Sequence, residues 1–170
     1  MRHKVAMVGA FAVGKTSLVQ RFVTGLFSDR YLTTVGVRID KRDMVVDGKD
    51  LTIVLWDLEG EDSAHSLRLS HLRGSAGCLL VADGTRPHTL DTALRLGSEV
   101  EAALGKVPSL LLLNKRDLRG EWSVGEAQLV AARTAGHEII ETSALSGESV
   151  ETAFERLALR MLRNRETRSG

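Results

Sequence analysis

The stretch that decides the fold is Gly9-Ala10-Phe11-Ala12-Val13-Gly14-Lys15-Thr16, which fits the pattern G-x-x-x-x-G-K-[ST] of phosphate-binding loops. The apolar residues 5–8 before it predict a buried strand, and Leu18, Phe22 and Val23 after it have helical spacing. Glycines allow the backbone N–H groups of such a loop to converge on an anion, and Lys15 adds a positive charge. The hydroxyl of Thr16 can coordinate Mg²⁺. The sequence therefore predicts a polyphosphate site with a magnesium ion.

Composition indicates an ordinary globular protein and excludes several other classes. Of the 170 residues, 43% are hydrophobic and 26% are charged, and the net charge is +1, which gives no reason to expect a nucleic-acid partner. The single cysteine, Cys78, lies in an apolar run and is predicted to be a buried thiol. Arg2 excludes N-myristoylation, and we see no signal peptide, membrane span or cysteine for prenylation. We expect a single domain over residues 1–170, cytoplasmic, without a direct lipid anchor.

Strand and helix patterns alternate along the chain, which predicts an α/β fold. Asp47-Gly48 is a hairpin signal, so we expect a six-stranded, mostly parallel sheet with one antiparallel edge pair and helices on both faces. Ser123 and Glu126 have the spacing of a helix capping box. The predicted strands cover about residues 4–9, 37–46, 51–56, 76–82, 109–113 and 137–140, and the predicted helices about residues 15–24, 64–73, 89–104, 123–134 and 148–163.

Three further polar motifs follow predicted strands, where a parallel sheet binds its ligands. Asp57 can contribute to a Mg²⁺ shell, and the N–H of Gly60 can approach a terminal phosphate. In Asn114-Lys115-Arg116-Asp117, the carboxylate can accept hydrogen bonds from N1–H and the 2-amino group of guanine. Adenine lacks that pair of donors and would leave a buried Asp117 unpaired. The third motif contains Ser143.

In order and spacing, these motifs resemble those of the Ras-like small GTPases, most closely the Rab-like branch, over nearly all of residues 4–162. Leu32-Thr33-Thr34-Val35-Gly36-Val37, Trp56-Asp57 and Arg73-Gly74-Ser75-Ala76-Gly77 look Rab-like. The resemblance implies that Thr34 reaches Mg²⁺ and the γ-phosphate, and that Phe27 packs edge-on against the base. It also implies that Glu141-Thr142-Ser143-Ala144 is the last guanine loop, with the backbone of Ala144 at the guanine carbonyl.

The resemblance implies a switch that binds GTP and GDP with Mg²⁺, hydrolyses GTP, and orders residues 25–36 and 60–73 in the GTP state. A protein effector, an exchange factor and an activating protein are the implied partners. The expected catalytic residues are Lys15, Thr34, Gly60 and Glu61, and the expected metal ligands are Thr16, Thr34 and Asp57. The expected nucleotide-binding residues are Gly9, Phe11, Ala12, Val13, Gly14, Lys15, Thr16, Ser17, Phe27, Asn114, Lys115, Asp117, Ser143, Ala144 and Leu145.

Three departures from the family pattern affect these expectations. Glu61 stands where the family usually carries the glutamine that positions the attacking water, so we expect slow or altered hydrolysis. Phe11 replaces a small residue, and its ring either crowds the path of an activator's arginine or points outward and covers the nucleotide. The chain carries no tail with prenylated cysteines.

Other interpretations of the same residues stay open. The chain could be a catalytically silent GTP-binding scaffold, or an ATPase, against which residues 114–117 argue. We expect a monomer, with a state-dependent dimer as the alternative.

Overall fold

The computed structural model describes residues 1–28, 34–60 and 67–170, and within these ranges the chain forms one sheet. Its strands are β1 (Arg2–Gly9), β2 (Val37–Val46), β3 (Lys49–Leu58), β4 (Ser75–Asp83), β5 (Ser109–Asn114) and β6 (Ile139–Glu141). The helices are α1 (Lys15–Thr24), α2 (Leu69–Leu72), α3 (His88–Leu104), α4 (Glu126–Thr134) and α5 (Val150–Ser169), with a 3-10 helix at Arg116–Glu121.

The strand order is β2-β3-β1-β4-β5-β6, and only β2 and β3 pair in antiparallel fashion. They are joined by a two-residue turn in which Asp47 (φ 52°) and Gly48 (φ 70°) both adopt left-handed conformations. All other pairings are parallel, which confirms the predicted fold class. Consequently β1, β3, β4, β5 and β6 end at the same edge of the sheet, and the loops that follow them meet there.

Apolar side chains cover both faces of the sheet. On one face, α1 and α5 pack together, and the rings of Phe22 and Phe154 stack with centroids 3.9 Å apart. On the other face, α2, α3 and α4 contribute buried residues that include Leu72, Leu96 and Ala132. This two-sided coverage explains why β4 and β5 are continuous apolar runs rather than alternating ones.

Two predicted helices differ from the structure. Residues 64–66 lie outside the described residues, but residues 67 and 68 are not helical, and Arg68 is extended (φ −78°, ψ 118°). The predicted capping box at Ser123 is wrong, since α4 starts only at Glu126, after Gly125. The Ser123 N–H instead donates to the carbonyl of Gly84 at 3.1 Å, a tertiary contact that holds it away from the helix.

Smaller differences concern the ends of elements. The last strand starts at Ile139 and the last helix at Val150, each two residues later than predicted, and α5 continues to Ser169. The 3-10 helix after the asparagine of β5 was not predicted.

Within the described residues, none of the helices is long and apolar enough to cross a membrane. Cys78 is buried as predicted, and burial raises the pKa of its thiol to about 12.

Candidate nucleotide-binding site

The phosphate-binding loop runs from the end of β1 to the start of α1, and two of its glycines are required by close approaches. A Cβ on Gly14, whose φ is 100°, would lie 2.4 Å from Nδ2 of Asn114. A Cβ on Gly9 would lie 2.4 Å from the carbonyl oxygen of Val81 on the neighbouring strand. Both distances are far below van der Waals contact, so the sequence pattern of this loop reflects packing as well as ligand binding.

Lys15 begins α1 and is almost fully buried inside the loop. Its Nζ donates to the carbonyl oxygens of Gly9 and Ala10, both at 3.1 Å. The side chain of Val13 is buried in the core, and its carbonyl oxygen accepts from Nδ2 of Asn114 at 3.0 Å. The loop is therefore curled around the lysine stem and tied to the end of β5.

Three oxygen atoms from distant segments converge beside this loop. Oγ1 of Thr16 lies 2.6 Å from Oδ2 of Asp57 and 2.5 Å from Oγ1 of Thr34. Oγ1 of Thr34 also lies 3.1 Å from the same carboxylate oxygen. Two hydroxyls and a carboxylate form a set of hard oxygen donors of the kind that Mg²⁺ prefers.

Asp57 is fully buried at the end of β3. Its Oδ1 has no hydrogen-bond partner among the described residues, although such atoms are normally satisfied. Burial raises the pKa of this carboxyl group, while hydrogen bonds from Thr16 and Thr34 and the charge of Lys15 oppose the rise. A buried carboxylate with an unsatisfied oxygen fits a site that receives a cation, because a nearby positive charge would stabilise its ionised form.

Residues at the ends of β5 and β6 form the other end of the site. Oδ1 of Asp117 accepts a hydrogen bond from Oγ of Ser143 at 2.7 Å, and Oδ1 of Asn114 accepts one from Oγ1 of Thr142 at 3.1 Å. Ser143 and Thr142 are buried, whereas Asp117 is exposed rather than buried as expected, because it lies in the 3-10 helix at Arg116–Glu121, of which no residue is buried.

Asp83, at the end of β4, forms ion pairs with Lys115 after β5 and with Arg86 in its own loop. Its Oδ2 lies 2.9 Å from Nζ of Lys115 and 3.1 Å from Nε of Arg86. Burial alone would raise the pKa of Asp83, but hydrogen bonds from Lys115, Thr85 and Arg86 outweigh it and hold that pKa below its usual value. Arg86 also donates to the carbonyl oxygen of Phe11 at 2.8 Å, and Lys115 to that of Ala12 at 3.2 Å.

These segments enclose a cavity of about 410 Å³ that extends from Lys15 to Asp117. Phe11 lies in its wall and is 50% exposed, and Gly60 approaches so closely that a Cβ there would lie 2.6 Å from Cα of Phe11. The expected site residues in the wall are Phe11, Ala12, Gly14, Lys15, Thr16, Ser17, Phe27, Thr34, Gly60, Asn114, Lys115, Asp117, Ala144 and Leu145.

The model of the Ras family matches residues 4–163 of this chain. The chain belongs to the Ras family. The Ras-related protein RABA2d of Arabidopsis thaliana is 34% identical over 154 residues, which cover 89% of this chain and 71% of that protein. The Ras-related protein Rab-13 of Canis lupus familiaris is 33% identical over 157 residues, 91% of this chain and 77% of the relative. GTP-binding protein ypt3 of Schizosaccharomyces pombe is 32% identical over an alignment of 173 positions, which covers 98% of this chain and 80% of the relative.

The expected resemblance is thus confirmed, and the chain is a Rab-like small GTPase, a GTP-binding switch of a family that hydrolyses GTP. Binding of GTP and GDP, use of Mg²⁺, and interaction with effectors, exchange factors and activating proteins are features of this family.

Not every expected site residue of this Ras-family protein faces the cavity. Gly9, Val13, Asp57 and Ser143 stand behind the wall, where they shape or orient the residues that line it. Glu61 lies outside the described residues, so the structure does not place it.

Sequence reasoning missed several residues of this site. Ser28, Leu58 and Leu118 line the cavity, and each directly follows or adjoins a predicted site residue. Asp83 could have been found, because it directly follows a predicted apolar strand, as Asp57 does. Arg86 has no such signal, since its role depends on a contact with a loop 75 positions away.

Proposed function

We propose that this cavity binds GTP and GDP with Mg²⁺, that the chain hydrolyses GTP slowly, and that it signals to a protein partner through residues 25–36 and 60–73. One observation carries the proposal. The oxygens of Thr16, Thr34 and Asp57 converge beside Lys15 at one end of a single cavity, and Asp117 with Ser143 stands at the other. That arrangement suits a ligand with a polyphosphate at one end and a base at the other.

At the phosphate end, Lys15 and the backbone N–H groups of the loop would hold the β- and γ-phosphates. Thr16, Thr34 and Asp57 would hold Mg²⁺, which when bound neutralises charge on the phosphate oxygens. Water would attack the γ-phosphorus in line with the leaving oxygen, while Lys15 and the N–H of Gly60 stabilise the charge that develops on the γ-phosphoryl oxygens.

At the base end, the carboxylate of Asp117 would accept the two hydrogen bonds of guanine. Ser143 donates to one of its oxygens and thereby orients the group. The stem of Lys115 lies in the cavity wall and can pack on the flat base. Because adenine has neither N1–H nor a 2-amino group, it would offer the carboxylate neither of these two hydrogen bonds, and we expect guanine nucleotides to bind in preference.

Contacts between the first proposed switch segment and Glu59, the residue directly before the second, support a shared response. The N–H of Glu59 donates to the carbonyl oxygen of Gly36 at 2.8 Å, and the N–H of Gly36 donates to Oε2 of Glu59 at 3.3 Å. Thr34 and Gly60 adjoin these contacts and face the phosphate end of the cavity. Loss of the γ-phosphate would remove a binding partner of both Thr34 and Gly60. A protein that binds only one of the two nucleotide states would then distinguish them.

We also propose that residues 1–170 form one domain, that it acts in the cytoplasm as a monomer, and that exchange and activating proteins regulate it.

The decisive experiment for nucleotide binding is chromatographic analysis of the nucleotide that copurifies with the protein, followed by a GTP-hydrolysis time course. Bound GDP or GTP and slow turnover are expected. Tight guanine nucleotide without turnover would instead favour the scaffold interpretation, and equal binding of ATP would contradict the assignment.

Glu61 can be tested by substitution. A carboxylate near the γ-phosphate would repel it by about 1 kcal/mol or more, so Glu61→Gln should raise the hydrolysis rate about fivefold or more. Single-turnover hydrolysis of preloaded GTP measures the rate, and Glu155→Gln, at an exposed glutamate of α5, is the matched control. Identical rates for the wild type and Glu61→Gln would remove Glu61 from the mechanism.

A further inference from the structure

The indole of Trp122 fills a slot between two loops behind the base end of the cavity. Its Nε1–H donates to the carbonyl oxygen of Lys115 at 2.8 Å. A Cβ on Gly84 would lie 2.1–2.4 Å from atoms of the indole ring, so the slot exists only because residue 84 is glycine. The guanidinium of Arg119 lies 4.9 Å from the ring centroid, a cation–π distance that further restrains the ring.

The residue that Trp122 contacts has an unusual backbone. Lys115 is in the left-handed region, with φ 70° and ψ 40°, which is uncommon for a residue with a side chain. Its carbonyl oxygen accepts from the Trp122 indole and from the N–H of Leu118 at 2.9 Å. This conformation turns the chain from β5 into the 3-10 helix that carries Asp117.

The loop that contains Gly84 is joined to the same turn by main-chain hydrogen bonds. The N–H of Gly84 donates to the carbonyl oxygen of Asn114 at 3.1 Å, and the carbonyl oxygen of Gly84 accepts from the N–H of Ser123 at 3.1 Å. The hydrogen bonds of Trp122, Gly84 and Ser123 therefore link three segments to one another: the end of β4, the end of β5 and the segment after the 3-10 helix. Trp122 does not line the cavity.

We propose that Trp122 is a positioning residue for base recognition. By holding the carbonyl of Lys115 and the backbone of Gly84, it fixes the left-handed turn that aims Asp117 at the base and keeps Lys115 within reach of Asp83 and Ala12. The inference rests on the proposed function of Asp117. The additional claim is that selectivity for guanine depends on the indole of Trp122, although Trp122 does not line the cavity.

The experiment compares nucleotide preference, which a merely structural role would not change. Trp122→Phe retains an aromatic ring and removes the hydrogen-bond donor, whereas Gly84→Ala retains Trp122 and obstructs its slot. Trp56→Phe, at the other tryptophan, is the control. For each protein, the dissociation rate of radiolabelled GDP is measured together with the ratio of the affinities for GDP and IDP, whose base lacks the 2-amino group.

Loss of one hydrogen bond predicts that Trp122→Phe and Gly84→Ala release GDP roughly 2- to 12-fold faster and lose part of the preference for GDP over IDP. Trp56→Phe should match the wild type in both measurements. Folded Trp122→Phe with an unchanged rate and ratio would overturn the inference.

A second variant keeps the inference testable even if Trp122→Phe does not fold. In the Trp56→Phe background, biosynthetic replacement of the remaining tryptophan by 3-benzothienylalanine keeps the fused-ring shape and replaces the N–H donor by a sulfur atom. The same loss of preference is expected, and wild-type behaviour would overturn the inference. If the proposed guanine site were itself wrong, the outcome would be different, because the wild type would then bind ADP as well as GDP.

Discussion

At the residue scale, two buried carboxylates at strand ends have opposite surroundings. Asp83 lies against the cationic groups of Lys115 and Arg86, so it is neutralised within the fold. Asp57 receives hydrogen bonds from the hydroxyls of Thr16 and Thr34 and keeps one oxygen without a partner among the described residues. The first carboxylate is suited to joining loops and the second to holding a cation.

This contrast predicts different responses to chelation. Removal of Mg²⁺ with EDTA should accelerate GDP release from the wild type roughly tenfold or more, because a charge-assisted contact is worth about 1.5–3 kcal/mol. Asp57→Ala should release GDP quickly with or without EDTA. Asp83→Asn is the matched control and should release GDP faster than the wild type yet still respond to EDTA. Release of radiolabelled GDP measures all three proteins, and an EDTA response in Asp57→Ala equal to that of the wild type would contradict the assignment.

At the element scale, a buried histidine near the start of β1 is under the electrostatic influence of Arg165, near the end of α5. His3 is only 6% exposed, and its Nε2 has no hydrogen-bond partner in the described part of the chain. Burial, together with the positive charges of Arg165 and the N-terminus, lowers the pKa of His3 below its usual value. The neutral imidazole is therefore the form that this environment accommodates.

The lowered pKa predicts how stability depends on pH. Between the folded pKa and the unfolded value near 6.5, the unfolded chain binds more protons, so the free energy of unfolding rises with pH and falls on acidification. Above that window His3 contributes no pH dependence. Urea unfolding at pH 7.5 and pH 5.5, with GDP and Mg²⁺ present, should show a smaller acid-induced loss for His3→Gln than for the wild type. His88→Gln, at an exposed histidine of α3, should behave as the wild type. Equal losses for all three proteins would show that His3 is not responsible.

At the scale of the whole molecule, the cavity joins segments that are far apart in sequence. Contacts from Asn114 to Val13, from Lys115 to Ala12 and from Arg86 to Phe11 tie the loops after β4 and β5 to the loop after β1. A nucleotide that contacts these loops together would stabilise the folded state as a whole, because the unfolded chain has no such site.

This linkage predicts a thermal shift. GDP with Mg²⁺ at about 100 times its dissociation constant should add about 2.7 kcal/mol, which is roughly 5–11 °C in Tm for a chain of this size. Scanning calorimetry measures the shift, and ADP at the same concentration is the control. A shift with ADP as large as that with GDP would argue against a guanine site.

Much of this fold and site could be predicted because short stretches carry strong local signals. The phosphate-binding loop, the Asp47-Gly48 hairpin and the apolar strands mark their own structure, and α1 and β2 have the predicted bounds. The helix predicted at residues 123–134 started late because Ser123 makes a tertiary contact with Gly84, which local propensity does not contain. Asp117 was expected to be buried and is exposed, since the 3-10 helix that carries it, which was not predicted, has no buried residue.

The amino-acid sequence by itself determined the order of the elements, the mostly parallel sheet and the residues with the chemistry to bind phosphate, Mg²⁺ and guanine. Those properties arise from hydrophobic periodicity and from residue types at short spacing. Only the tertiary structure decided that Asp83 and Arg86 brace the phosphate loop, and that Trp122 fills the slot over Gly84. The reason is physical: each of these contacts requires atoms from separate segments to meet, and their distances are set by packing of the whole sheet.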